Sequence, residues 1–152
     1  MKKLIIPSIL LLLAIAAGAY YFDLGASRET KRDRYLANAQ AYIGAEKTQE
    51  AIIELKNALK LDPGHADGWR GLGAAVAAHD TARAVAAWQR VMELDPQDFD
   101  TLYNLGMTLA DAGRRNEAAS YLRRFLAEAP RDRYAKDLPR VRATLTRLDK
   151  PS

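Results

Sequence analysis

The 152-residue chain has no cysteine, only two histidines, and few valines, isoleucines or threonines after residue 22. The missing cysteine rules out disulfides, thiolate metal ligands, a cysteine nucleophile and a lipoprotein-type anchor on cysteine. Scarce β-branched residues beside abundant alanine argue for helices over sheet. His65 and His79 fall in expected turns with no set of further ligands nearby, so a metal site is not expected. Gly68, Gly71 and Gly73 sit within one helical stretch instead of a phosphate-cradling loop. No serine lies in a nucleophile-elbow context. These absences leave little room for an enzyme, and neither a catalytic residue nor a cofactor is expected.

The composition, 49% hydrophobic and 28% charged, is that of a globular chain. Lys2 and Lys3 precede a run without charge from Leu4 to Phe22. As a helix this run is about 28 Å long, close to the hydrocarbon thickness of a bilayer. The lysines predict a cytoplasmic amino terminus, and Tyr20, Tyr21 and Phe22 predict an interfacial belt at the far end. Residues 1–22 are therefore expected to be a single-pass transmembrane signal anchor in a bacterial inner membrane, with the remainder in the periplasm. The alternative is a cleaved signal peptide, because Ala17-Gly18-Ala19 fits the small-residue cleavage pattern, leaving a periplasmic or secreted protein. Residues 23–30, with Gly25 and Ser27, read as a linker.

Beyond the linker one pattern recurs. Leu102, Leu105 and Leu109 fall at helical spacing, Gly106 leaves room for a close backbone approach, and Asp111-Ala112-Gly113 breaks the helix. A second helix carries Ala118, Leu122 and Phe125 and stops at Pro130, which has no amide hydrogen to continue it. Tyr35, Ala39 and Tyr42, the turn Gly44-Ala45-Glu46, then Ala51, Leu55, Ala58 and Pro63 repeat that order 67 positions earlier. Between them Trp69, Leu72, Gly73 and Val76 lead to Ala84, Trp88, Val91 and Pro96, with one residue missing in the turn Ala77 to Ala82. Gly73 and Gly106 are expected to face Ala84, Ala118 and their neighbours where paired helices approach most closely. After residue 130, Tyr134, Leu138, Val141, Leu145 and Leu148 give one apolar face, an amphipathic helix opened by Pro139 that covers the last unit.

This order resembles the tetratricopeptide (TPR) repeat, whose pattern is W-x2-L-G-x2-Y, then A-x3-F, then P. The chain is similar to a small membrane-anchored bacterial member of that family. The resemblance implies an all-α, right-handed solenoid of helical hairpins, with three repeats at 31–65, 66–98 and 99–130. A capping helix and tail would occupy 131–152, with one transmembrane helix ahead of the repeats. It also implies a protein-protein interaction scaffold that docks partner proteins or peptides in the cell envelope. The concave groove would be lined by the first helix of each repeat. There Leu36, Ile43, Tyr103 and Met107 would take apolar side chains, Arg70 would hold a carboxylate, Asn104 would pair with a peptide backbone, and Gln40 and Ala74 would lie between. Chaperone-binding members use several lysines, arginines and asparagines in this groove. With one arginine, one asparagine and Asp33, Asp67 and Asp100 at the repeat starts, that ligand class is disfavoured.

Charge is unevenly placed. Residues 1–110 carry 12 basic and 13 acidic side chains, and residues 111–152 carry 11 basic and 6 acidic. Arg114, Arg115, Arg123, Arg124, Arg140 and Arg142 belong to this basic face, which offers the alternative function of a tether to an anionic polymer or membrane surface. Nucleic acid is disfavoured by the export signal and the lack of interleaved aromatics.

Overall fold

Caps and breakers at regular intervals cut the alanine- and leucine-rich sequence into helices. The computed structural model describes Gly25 and residues 27–150, so the run Leu4 to Phe22, expected above to be an anchor or signal peptide, lies outside the described residues. Among the described residues no helix is long and apolar enough to cross a membrane. Seven helices follow one another there: α1 (Arg28–Gly44), α2 (Thr48–Leu61), α3 (Ala66–Val76), α4 (Thr81–Leu94), α5 (Phe99–Asp111), α6 (Arg115–Glu128) and α7 (Leu138–Leu148).

Four of the seven starts among the described residues are set by side-chain acceptors for otherwise unpaired amides. Ser27 Oγ accepts from Thr30 N at 3.1 Å, so α1 begins at Arg28, inside the stretch expected to be linker. His65 Nδ1 accepts from Gly68 N at 3.0 Å, Asp80 from Arg83 N at 2.9 Å, and Asp98 from Thr101 N at 2.8 Å. Asp137 stands at the amino end of α7 with the proline in its first turn, where a missing amide hydrogen costs nothing.

Helices α1 and α2, α3 and α4, and α5 and α6 pack as hairpins. Helix α2 packs on α3, α4 on α5, and α6 on α7, which also touches α5. The result is an all-α solenoid. Its interior forms one cluster from Ala39 through Trp88 to Ala118 and another from Leu102 through Phe125 to Leu145, bridged by Met92, Tyr121 and Leu148.

The small residues sit where the hairpins close. Ala51, Ala84 and Ala118 are fully buried. A Cβ on Gly73 would lie 2.4 Å from Trp88 Nε1, and one on Gly106 would lie 2.6 Å from Leu122 Cδ2. An indole is rigid, so at Gly73 the whole ring would have to move within a closed core. Gly73→Ala is therefore expected to destabilise by about 1–2 kcal/mol, since overpacking of roughly 1–3 kcal/mol outweighs a helix-propensity gain of at most about 1 kcal/mol. Urea unfolding measures this. Combining Gly73→Ala with Trp88→Phe should cost less than the two single changes added together, and a stabilised Gly73→Ala would show that the ring has room.

The turns within hairpins explain the missing residue. In the first and third units the chain leaves the helix through a left-handed residue, Glu46 (φ 58) and Gly113 (φ 75). Lys47 N then bonds Tyr42 O, and Arg114 N bonds Leu109 O, both at 2.9 Å. These six-to-one bonds are the mark of a Schellman end. The middle turn omits that residue, and Asp80 N returns to Val76 O at 2.8 Å instead. Glu46 occupies the position that Gly113 fills in the third unit, and its Cβ strains a left-handed backbone by roughly 1–2 kcal/mol. Glu46→Gly should raise stability by about 0.5–1 kcal/mol after the entropy of the freer unfolded chain is subtracted, seen as a higher melting temperature.

Candidate partner-docking groove

Helix α7 packs on both α5 and α6. Between α1 and α3 lie two adjoining hollows that share Ile43. One is lined by Leu36, Gln40, Ile43 and Gly71, with Leu55 at its base, and the other by Ile43, Thr48, Ala74, Ala75 and His79. Ile43 is 44% exposed, a large apolar side chain left open to solvent at the centre of this strip. Four of the residues expected in the groove, Leu36, Gln40, Ile43 and Ala74, are thus brought together.

The other four behave differently. Arg70 is not an open carboxylate receptor: Nη2 and Nε meet Asp98 Oδ2 at 2.6 and 2.7 Å, and Nη1 meets Asp67 Oδ1 at 2.7 Å. Burial works against its charge, yet Asp98 and Asp67 hold its pKa above the ordinary value. Met107 is only 8% exposed, because α7 lies across it and draws it into the second core cluster. Tyr103 is half-buried, with its ring centroid 5.6 Å from that of Phe125. Asn104 is half-buried, and its amide makes no hydrogen bond among the described residues, which leaves it able to pair with a peptide group.

The basic face is largely engaged within the chain. Arg114 pairs with Glu117 through two bonds of 2.7 Å. Arg115 donates to the carbonyls of Leu148 and Lys150. Arg123 meets Asp149 at 2.6 Å, and Arg124 reaches Glu128 at 3.0 Å and Pro96 O at 2.7 Å. Arg115, Arg123 and Arg124 tie the third unit to its neighbours and Arg114 pairs locally at the start of α6, so four of the six arginines expected on the basic face have partners within the chain while Arg114, Arg123 and Arg124 stay partly exposed. The guanidiniums of Arg140 and Arg142 make no ion pair or hydrogen bond among the described residues.

The cap is held by Asp100, which accepts from Tyr134 Oη at 2.8 Å and pairs with Arg133 at 2.5 Å. Burial, and then the bond to the Asp100 carboxylate, push the Tyr134 phenol up to about 12. It therefore remains a neutral donor far above physiological pH. His65 serves as a helix cap, as described above. His79 edges the second hollow, and no cluster of three or more histidine or acidic side chains suited to a metal occurs among the described residues.

Sequence reasoning passed over a recess between α5 and α7, lined by Met107, Asp111, Arg140, Ala143, Thr144 and Arg147. The spacing of Arg140, Thr144 and Arg147, four then three, already placed them on one face of the cap helix.

Two family models described as tetratricopeptide repeat match the chain, over residues 36–79 and 75–143. No curated protein matches it. Among solved structures it is similar to the Arabidopsis OM64 TPR domain, with a TM-score of 0.68 and 17% identity over 83% of this chain and 100% of that one. It is also similar to the TPR2B domain of yeast Sti1 in complex with pHsp70, with a TM-score of 0.68 and 17% identity over 77% of this chain and 97% of that one. A mutant O-GlcNAc transferase of Thermobaculum terrenum matches 81% of this chain with a TM-score of 0.64 and 18% identity, over only 23% of the enzyme. At these identities the likenesses show the fold.

Proposed function

Since the chain belongs to the tetratricopeptide repeat family by its matches over residues 36–79 and 75–143, we propose that it is a membrane-tethered docking scaffold. Its inner groove receives an apolar segment of a partner protein in the bacterial cell envelope. Domains of this family generally mediate protein-protein interaction and typically lack catalytic activity, although the fold also occurs within enzymes such as the transferase above. The yeast domain was solved in complex with pHsp70, which supports a protein or peptide as the occupant. The observation that carries the reading is the strip between α1 and α3. Leu36, Ile43 and Ala74 line two joined hollows there, and Ile43 is exposed at their junction. Apolar side chains gathered in a concavity, with the Gln40 amide beside them, suit a peptide more than a polyanion.

In this reading the run Leu4 to Phe22 holds the scaffold in the inner membrane with the repeats in the periplasm. Cleavage after Ala17-Gly18-Ala19 would release it. A photo-crosslinker at Ala74 in the detergent-solubilised full chain tests the docking. A discrete adduct that persists at high salt and disappears in Ile43→Asp supports an apolar groove ligand. An adduct unaffected by Ile43→Asp, or one abolished by salt alone, overturns it.

A further inference from the structure

The recess between α5 and α7 has a volume of about 270 Å³ and holds chemistry that the apolar strip lacks. Arg140 enters it with no partner among the described residues. Arg147 is held only by Asp111 at 3.9 Å, and both side chains are well exposed, a contact worth little in solvent. Thr144 is 7% exposed and its hydroxyl makes no hydrogen bond among the described residues. The buried side-chain atoms without a partner among the described residues are Trp88 Nε1 and Thr101 Oγ1, so the Thr144 hydroxyl opens to solvent in the recess and is free to donate to an acceptor there. Met107 and Ala143 supply an apolar lining.

We infer that this recess receives the carboxylate of an aspartate or glutamate side chain on the docked protein segment. The inference rests on the docking reading above and adds a second, charged anchor point to it. Two guanidiniums and one carboxylate leave a single net positive charge, which one side-chain carboxylate neutralises. Asp111 repels any incoming anion, and a phosphate or sulfate dianion more strongly than a singly charged carboxylate. The acid's oxygens accept from Arg140, Arg147 and Thr144, while its methylene stem lies on Met107 and Ala143. The recess is a hollow between α5 and α7, which a flat bilayer surface would not fill.

Selection from a phage-displayed random peptide library on the detergent-solubilised full chain tests this. Enriched peptides should share an Asp or Glu at a fixed distance from apolar positions. Replacing that acid by its amide should weaken binding about tenfold or more in calorimetry, since hydrogen bonds to charged groups are the strong ones. Arg140→Gln with Arg147→Gln, checked by circular dichroism for intact helices, should bind the acidic and amide peptides equally while Thr144→Val narrows the difference. Enriched peptides with no acidic position, or an acid whose effect survives in the double variant, overturn the inference and leave the apolar groove standing. A library that yields no enriched peptide removes the docking reading itself. Arginine-dependent retention on a sulfated polysaccharide, without any acidic peptide preference, assigns the recess to a polyanion and also overturns it.

Discussion

Phe125→Ala is expected to destabilise the chain by about 3–5 kcal/mol, the range for deleting a fully buried aromatic ring whose cavity closes incompletely. Phe125 is 0% exposed, its ring centroid lies 5.0 Å from that of Tyr134 in a T-shaped contact, and it also meets Tyr103. It therefore joins the helix that ends the third unit to the segment leading into α7. Small domains have a total stability of about 5–15 kcal/mol, so the loss is a large share of it. A solenoid whose units touch only their neighbours distributes that loss unevenly. Both tryptophans, Trp69 and Trp88, lie in the middle hairpin, so indole fluorescence reports that unit while far-ultraviolet circular dichroism reports every helix. In Phe125→Ala the circular dichroism transition should broaden and begin at lower urea, with the fluorescence midpoint moving less. Equal shifts by both probes would show that Met92, Tyr121 and Leu148, which touch both core clusters, couple the hairpins into one cooperative unit.

Most of this architecture is legible in the sequence because it is built from local, periodic rules. Leucine and alanine spacing marks the helix faces, Gly73 and Gly106 mark the closest approaches, and Pro139 marks the first turn of α7. The missing residue between Ala77 and Ala82 is visible as a broken period, and the left-handed Glu46 and Gly113 explain what was lost. The groove was only half legible. Leu36, Gln40, Ile43 and Ala74 come together because they share the inner faces of neighbouring helices. Met107 follows the same periodicity, but whether α7 covers it depends on how the cap crosses α5, which no local rule encodes. The pairing of arginines is hidden for a related reason: Arg123 finds Asp149, and Arg133 finds Asp100, across 26 and 33 residues of chain. A count of charges shows an excess without showing which members are already paired.

Arg70 is where that distinction changes how a binding experiment is read. Its guanidinium bridges Asp67 and Asp98, and the Asp98 side chain is 6% exposed while its other oxygen caps α5 at Thr101 N. Removing the arginine leaves a buried carboxylate without its counter-charge, which in a fully buried pair costs about 3–5 kcal/mol. Arg70 itself is 39% exposed, so water entering its place offsets part of this. We expect Arg70→Ala to lose about 2–3 kcal/mol by urea unfolding. Arg70→Lys should lose less but not recover fully, because an ammonium cannot span both carboxylates as a planar fork does. Adding Asp98→Asn to Arg70→Ala keeps a cap acceptor and removes the stranded charge, so most of the lost stability should return. If partner docking returns with it, Arg70 shapes the groove without touching the ligand. Docking that stays lost in a stable double variant would make Arg70 a contact residue, and full stability in Arg70→Ala alone would show that Asp98 is solvated well enough to stand unpaired.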